Sequence, residues 1–154
     1  MNEISPYMQQ AHDHLNDEFE KYARLKSSDP DASWTAFMEF LDGLHRHLSL
    51  EEEVLFPAYQ LRPLPGAPGA LAALRSEHRR ILALLDELQV CQAEFNPRAI
   101  PLETQLRALL YEHNEAEERL FTPWLATLLS AGDRQALLDR MARFGVYVPA
   151  TAAR

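Results

Sequence analysis

Apolar positions repeat at intervals of three and four residues over four long segments of the chain. The pattern is interrupted by SSDPDAS, LRPLPGAPGA and NPRAIP, and clustered Pro, Gly, Ser and Asn residues mark breaks between helices. Four helices are therefore predicted near residues 5–27, 32–60, 69–95 and 101–129, and a short fifth helix over 133–144. Ser27 and Ser33 are candidate capping or boundary residues of the second helix.

Long helices with short connections predict an all-α fold, an antiparallel four-helix bundle of up-down-up-down order with a short C-terminal fifth helix. The 154 residues suit one domain, with the bundle core at about 5–129 and the C-terminal helix and tail at 130–154. The tail, FGVYVPATAAR, could dock on the bundle or on another subunit.

Composition excludes several function classes. The chain has 15 basic and 23 acidic residues, a net charge of −8, which argues against binding nucleic acid or an anionic membrane. No apolar run approaches the roughly 18–20 residues that span a bilayer, and the N-terminus lacks the pattern of a signal peptide. Cys91 is the single cysteine, so no intrachain disulfide can form. We expect a cytoplasmic protein without a membrane segment.

Ionisable residues interrupt the apolar stripes of three helices. The apolar stripe of the third helix consists of Leu71, Leu74, Ile81, Leu85 and Leu88, and His78 fills the gap between Leu74 and Ile81. In the second helix His47 and Glu51 fill the corresponding gap, and in the fourth helix His113 and Glu117 fill it. A buried carboxylate or imidazole without a partner is costly. A metal ion solves this problem, because it binds imidazole nitrogen and carboxylate oxygen together.

The second and fourth helices carry the same motif, HLSLEEEVLFP and HNEAEERLFTP. His and Glu four residues apart lie one turn apart on one face, about 6 Å between Cα atoms, so both can reach one metal. We interpret the repeat as two metal-ligand turns. Each motif also has a proline six residues after the Glu that pairs with its His, Glu51 or Glu117; we predict a helix end at Pro57 and a kink at Pro123.

The first helix offers two further histidines. His12 and His14 flank its apolar stripe on opposite sides, so periodicity does not choose between them. His14 has a surface partner in Glu18, four residues later. His45 is interpreted as a surface or rim residue, and Glu52, Glu53 and Glu118 are interpreted as solvated. Glu52 and Glu118 are also alternative ligands, because they lie next to Glu51 and Glu117.

Taken in order, these stretches resemble the hemerythrin-like (HHE cation-binding) family. The match consists of His12-Asp13 on the first helix, the two motifs above, and SEHRRIL on the third helix, and it spans about residues 8–129. The resemblance selects His12 over His14, because the first-helix ligand of the family is commonly the His of a His-Asp pair.

The resemblance implies a non-haem di-iron centre with an oxo or hydroxo bridge, with zinc or manganese as alternative metals. The implied metal ligands are His12, His47, Glu51, His78, His113 and Glu117. Leu82 stands where oxygen-carrying hemerythrins usually have a second histidine on the third helix. That weakens a pure oxygen-carrier role, and the ligand set is closer to that of di-iron proteins that repair iron–sulfur clusters.

Three functions remain open on the sequence. The first is a di-iron protein that reversibly binds or senses O2 or NO, and the second is a di-iron redox enzyme acting on NO, peroxide or damaged clusters. Tyr22, Tyr59 and Tyr111 would be candidate proton donors for such an enzyme. The third is a metal-free helical interaction module. The sequence identifies no protein partner, and it does not decide whether the protein is an enzyme.

Overall fold

The computed structural model describes residues 4–144, and in this range every regular element is helical. Helix α1 is Ile4–Leu25, α3 is Ala70–Ala93, α4 is Ala99–Thr127 and α5 is Ala131–Phe144. Helix α2 is continuous over three pieces: Pro30–Leu50, a π-helical segment Glu51–Leu55, and Phe56–Leu61. The all-α prediction is confirmed, and each helix begins and ends within two residues of its predicted boundary. The tail residues 145–154 lie outside the described residues.

The start of α2 differs from the prediction. Asp29, not a serine, caps the helix, since its carboxylate accepts a hydrogen bond from the Ala32 N–H at 3.1 Å. Pro30 occupies the first turn, where its missing N–H costs nothing and its fixed φ favours the helix. Ser33 lies inside the helix, and its hydroxyl donates to the Tyr22 carbonyl at 2.9 Å.

The chain divides into two compact units. The first unit comprises residues 1–64 and 124–154, and the second comprises residues 65–123. In the first unit α1 packs on α2 through buried aromatic rings, with 5.0 Å between the ring centroids of Phe19 and Phe40 and of Tyr22 and Phe37. Such tilted pairs add about 0.5–1.5 kcal/mol each beyond the burial of their area. Gly43 allows close approach here, because a Cβ at this position would lie 3.1 Å from Leu15 Cδ2.

The C-terminal part of the first unit is fixed by α5. This helix packs against the π-helical segment of α2 and buries Leu137 and Met141. Its residue Arg134 donates from Nη1 to the carbonyls of Leu125 and Leu129, at 3.2 and 2.7 Å, and so satisfies carbonyl groups that a helix end leaves open.

The second unit consists of α3 and the part of α4 up to Pro123. The predicted stripe of α3 is buried, and α4 contributes the buried residues Leu102, Leu106 and Leu109. The two helices are joined by a short loop, in which Asn96 N–H donates to the Cys91 carbonyl at 2.8 Å. Phe95 adopts a positive φ of 53° in this loop, a conformation usually taken by glycine at the end of a helix.

Candidate metal centre

In the first unit, α1 and α2 bring together three candidate ligands, His12, His47 and Glu51, which we call the α2 cluster. Their potential ligand atoms all lie within 4.8 Å of one another. His47 Nε2 is 3.1 Å from Glu51 Oε2, and the rings of His12 and His47 meet edge to face with 5.0 Å between centroids. His47 and Glu51 are buried and His12 is half-buried, so water contributes little to their solvation.

The α2 cluster lies where the helix changes its winding. Glu51 is the first residue of the π-helical segment, and the Phe56 N–H donates to the Glu51 carbonyl five residues earlier. The helix then continues four residues beyond Pro57, so the prediction of a helix end at this proline is wrong. A π-helical turn inside an α-helix is uncommon and is frequent at functional sites.

In the second unit, α3 and α4 bring together His78, His113 and Glu117, which we call the α4 cluster. The Nε2 atoms of His78 and His113 are 3.1 Å apart, and His113 Nε2 is 2.9 Å from Glu117 Oε1. All three side chains are buried. The helix remains α-helical through the cluster and continues past Pro123 to Thr127, so this proline lies inside the helix.

The chemistry of these donor atoms fits a metal cation. Each cluster places two imidazoles and a carboxylate together in a buried environment, where a carboxylate is costly unless positive charge or hydrogen bonds compensate it. In the α4 cluster a single atom, His113 Nε2, faces both another imidazole nitrogen and a carboxylate oxygen. One proton cannot serve both contacts, whereas a cation accepts lone pairs from all of them. Nitrogen and oxygen donors of this kind suit iron, manganese or zinc.

Glu77 is a polar contact of the α4 cluster that the sequence analysis did not single out. Its Oε1 lies 2.8 Å from His113 Nδ1, the ring nitrogen that does not face the other members of the cluster. The available signal was the Glu-His pair in SEHRRIL, where an acid directly precedes the inward-facing His78. Residue 77 lies off the apolar stripe of α3, so periodicity alone gave no reason to select it.

The other candidate residues lie outside the clusters. His45, Glu53 and Glu118 are exposed, and His14 and Glu52 are half-buried. Of the candidate tyrosines, Tyr22 and Tyr59 are buried and Tyr111 is exposed. The Tyr59 hydroxyl accepts a hydrogen bond from the Leu64 N–H at 3.2 Å.

Glu18 on α1 and Glu39 on α2 form an acidic pair outside the two clusters. Burial raises the pKa of Glu18 above 4.5, a hydrogen bond with the carboxyl of Glu39 and the charge of that group raise it further, and Lys21 and His14 partly oppose the shift. Glu18 therefore holds its proton to a higher pH than an exposed glutamate does. The interaction with His14 agrees with the expectation that His14 pairs with Glu18.

The helices and the two clusters together define a class: helical proteins whose buried imidazoles and carboxylates are compatible with metal binding. The family model of the hemerythrin HHE cation-binding domain matches residues 4–143. Because this match covers most of the 154 residues, the chain belongs to the hemerythrin HHE cation-binding domain family. The resemblance to the hemerythrin-like family that the sequence motifs indicated is confirmed, and the helices agree with a helical bundle that has a short C-terminal helix.

Comparison with curated proteins and with solved structures gives no match. None of the helices in residues 4–144 combines the length and the apolar character needed to cross a membrane.

Proposed function

We propose that this protein holds a non-haem di-iron centre and uses it to bind or sense O2 or NO reversibly. The proposed ligands are His12, His47 and Glu51 of the α2 cluster and His78, His113 and Glu117 of the α4 cluster. The observation that carries the proposal is the composition of the clusters: each offers two imidazoles and one carboxylate within its own unit, and all six side chains are buried except the half-buried His12.

Membership in a cation-binding family supports a metal at these residues. The continuous match over residues 4–143 supports one domain that carries both clusters. Four imidazoles and two carboxylates suit two metal ions better than one. When bound, iron with such a ligand set supplies an open coordination position for a diatomic molecule.

The protein side chains have separate tasks in this proposal. Glu51 and Glu117 offset the positive charge of the metals, and the four imidazoles complete the coordination. Buried apolar residues next to the ligands, such as Leu44 and Leu48 on α2 and Leu120 on α4, keep water away. A dry environment favours reversible binding of a diatomic ligand, because it slows proton transfer to the bound molecule.

The test is metal analysis of anaerobically purified protein, followed by absorption spectra before and after exposure to O2 and to NO. We expect two iron ions per chain and a spectral change that reverses when the gas is removed. Protein that binds no iron, even after anaerobic reconstitution, would contradict the proposal. Irreversible consumption of NO or peroxide would instead identify a di-iron redox enzyme.

Histidine variants provide the matched controls. Replacement of His12 or His47 by Ala should lower the iron content, whereas His14→Ala and His45→Ala should leave it intact. His14 and His45 lie on the same two helices as the proposed ligands but outside the α2 cluster. Loss of iron in His14→Ala but not in His12→Ala would show that the ligand on α1 is wrongly assigned.

A further inference from the structure

His113 makes polar contacts through both of its ring nitrogens. Its Nε2 faces His78 and Glu117 inside the α4 cluster, while its Nδ1 lies 2.8 Å from Glu77 Oε1. The His113 side chain is 2% exposed and that of Glu77 is 24% exposed. The glutamate therefore keeps partial contact with water while its carboxylate reaches a buried ring.

We propose that Glu77 is a positioning residue that orients His113 for metal binding. The inference rests on the proposed di-iron function, and it adds a residue outside the six proposed ligands. Glu77 binds no metal in this proposal; it acts through the imidazole of His113.

The direction of the hydrogen bond follows from the chemistry of the two groups. An ionised carboxylate can only accept, so the proton of the neutral imidazole must be on Nδ1. Nε2 then carries the lone pair, on the edge of the ring that faces His78 and Glu117. The bond to Glu77 also restricts rotation of the ring about its Cβ–Cγ bond. A histidine whose second nitrogen donates to a carboxylate is a better and more rigid metal ligand.

In the α2 cluster, His47 lacks an equivalent of this contact within the described residues. His47 Nδ1 is buried, and no residue in 4–144 makes a hydrogen bond with it. His113 thus has an orienting partner that His47 does not have. We therefore expect the two metals to differ, with the metal bound by His113 held more tightly than the metal bound by His47.

The experiment compares wild-type protein with Glu77→Ala, Glu77→Gln and the control Glu87→Gln, all as full-length chains. Glu87 is an exposed acid on the same helix, so its replacement removes the same charge without the contact to His113. Anaerobic Fe(II) binding is measured in competition with a chromogenic chelator. The ¹⁵N spectrum of the metal-free protein reports which nitrogen of His113 carries the proton.

Glu77→Ala should weaken binding of one of the two Fe(II) ions about 10- to 100-fold, the usual effect of losing such a partner. Glu77→Gln should lose less, because its amide oxygen still accepts from Nδ1–H, and Glu87→Gln should match the wild type. The ¹⁵N spectrum should show the Nδ1–H form of His113 in the wild type and a mixture of both forms in Glu77→Ala. The melting temperature of the metal-free variants should stay within about 2 °C of the wild type.

The failures can be told apart. If the wild type binds two Fe(II) ions and Glu77→Ala binds both with unchanged affinity, the role of Glu77 is wrong and the proposed function stands. Equal loss of Fe(II) affinity in Glu77→Ala and Glu87→Gln would show that only the change in net charge matters, and this result would also overturn the positioning role of Glu77. A wild-type protein without affinity for Fe(II) would overturn both proposals.

Discussion

The motifs on α2 and α4 have the same sequence pattern but different helical geometry. His47 and Glu51 on α2, like His113 and Glu117 on α4, are four residues apart, and a proline follows each Glu six residues later. Only α2 forms a π-helical segment after its glutamate. Since both motifs contain the proline, the proline alone does not cause the change in winding.

The spacing of the next buried aromatic ring explains the difference. Phe56 follows Glu51 by five residues, whereas Phe121 follows Glu117 by four, and both rings are buried. A π-helical turn contains about one residue more than an α-helical turn. The π-helical segment of α2 accommodates the extra residue. Phe56 can therefore lie about one turn after Glu51, as Phe121 lies about one turn after Glu117 in a regular α-helix.

The clusters also differ in how their histidines are held. His113 has Glu77 as a partner for its Nδ1, whereas His47 Nδ1 makes no hydrogen bond within the described part of the chain. The two His-Glu pairs are thus built differently. His113 and Glu117 lie on a regular α-helix and His113 contacts the Glu77 carboxylate, whereas Glu51 begins a π-helical segment and His47 Nδ1 has no such contact. We infer that the α4 cluster is more rigid before metal binds.

Metal removal should have the largest effect. At a free metal concentration a thousand times the Kd, chelation lowers the free energy of unfolding by about 4 kcal/mol. Amide hydrogen exchange should then accelerate more at residues 51–55 than at residues 113–117, because the latter keep the contact of His113 with Glu77. Metal-free protein with the same melting temperature as the loaded protein would contradict this prediction.

Single-residue deletions test the explanation of the π-helical segment. Deletion of Glu53 should be tolerated within about 1 kcal/mol, because α2 can then continue as a regular α-helix. Deletion of Arg119 should cost more than about 3 kcal/mol, since it rotates the buried residues that follow on α4 by about 100°. Urea unfolding of the two metal-free variants gives the comparison. Equal costs for both deletions would show that the π-helical segment does not absorb an extra residue.

Replacement of the two proposed carboxylate ligands should affect metal content. Glu51→Ala and Glu117→Ala should each lose at least one iron, with affinity reduced about 100-fold, or about 2.7 kcal/mol. Glu53→Ala and Glu118→Ala, at exposed acids of the same two motifs, are the matched controls. If both Glu51→Ala and Glu117→Ala keep two irons with a normal absorption spectrum, the assignment of these glutamates as ligands is wrong.

Much of the fold could be predicted because apolar stripes and proline-rich breaks are local signals. The inward-facing residues His78, Glu51 and Glu117 could be selected because they interrupt those stripes, and the structure buries all three. The π-helical segment gave no such signal: Val54, Leu55 and Phe56 are consecutive apolar residues and fit either winding. Glu77 lay off the stripe, and its importance depends on a contact with another helix.

The smallest effect is expected for the acidic pair outside the clusters. The pKa of Glu18 is raised, so its ionised form is less favourable in the folded protein than in the unfolded chain, and its stability cost appears as the pH rises above 4.5. Glu18→Gln should therefore slightly stabilise the protein at neutral pH and lose this advantage at pH 4. Thermal unfolding at the two pH values measures the effect, and metal content should not change. Destabilisation at neutral pH would contradict the assigned sign.

Crystallography of the iron-loaded protein, with anomalous data collected at the iron absorption edge, tests the central claim most directly. We expect two anomalous peaks, one bound by His12 and His47 and the other by His78 and His113, with Glu51 and Glu117 also among the ligands. A single peak, or iron bound away from these six side chains, would contradict it.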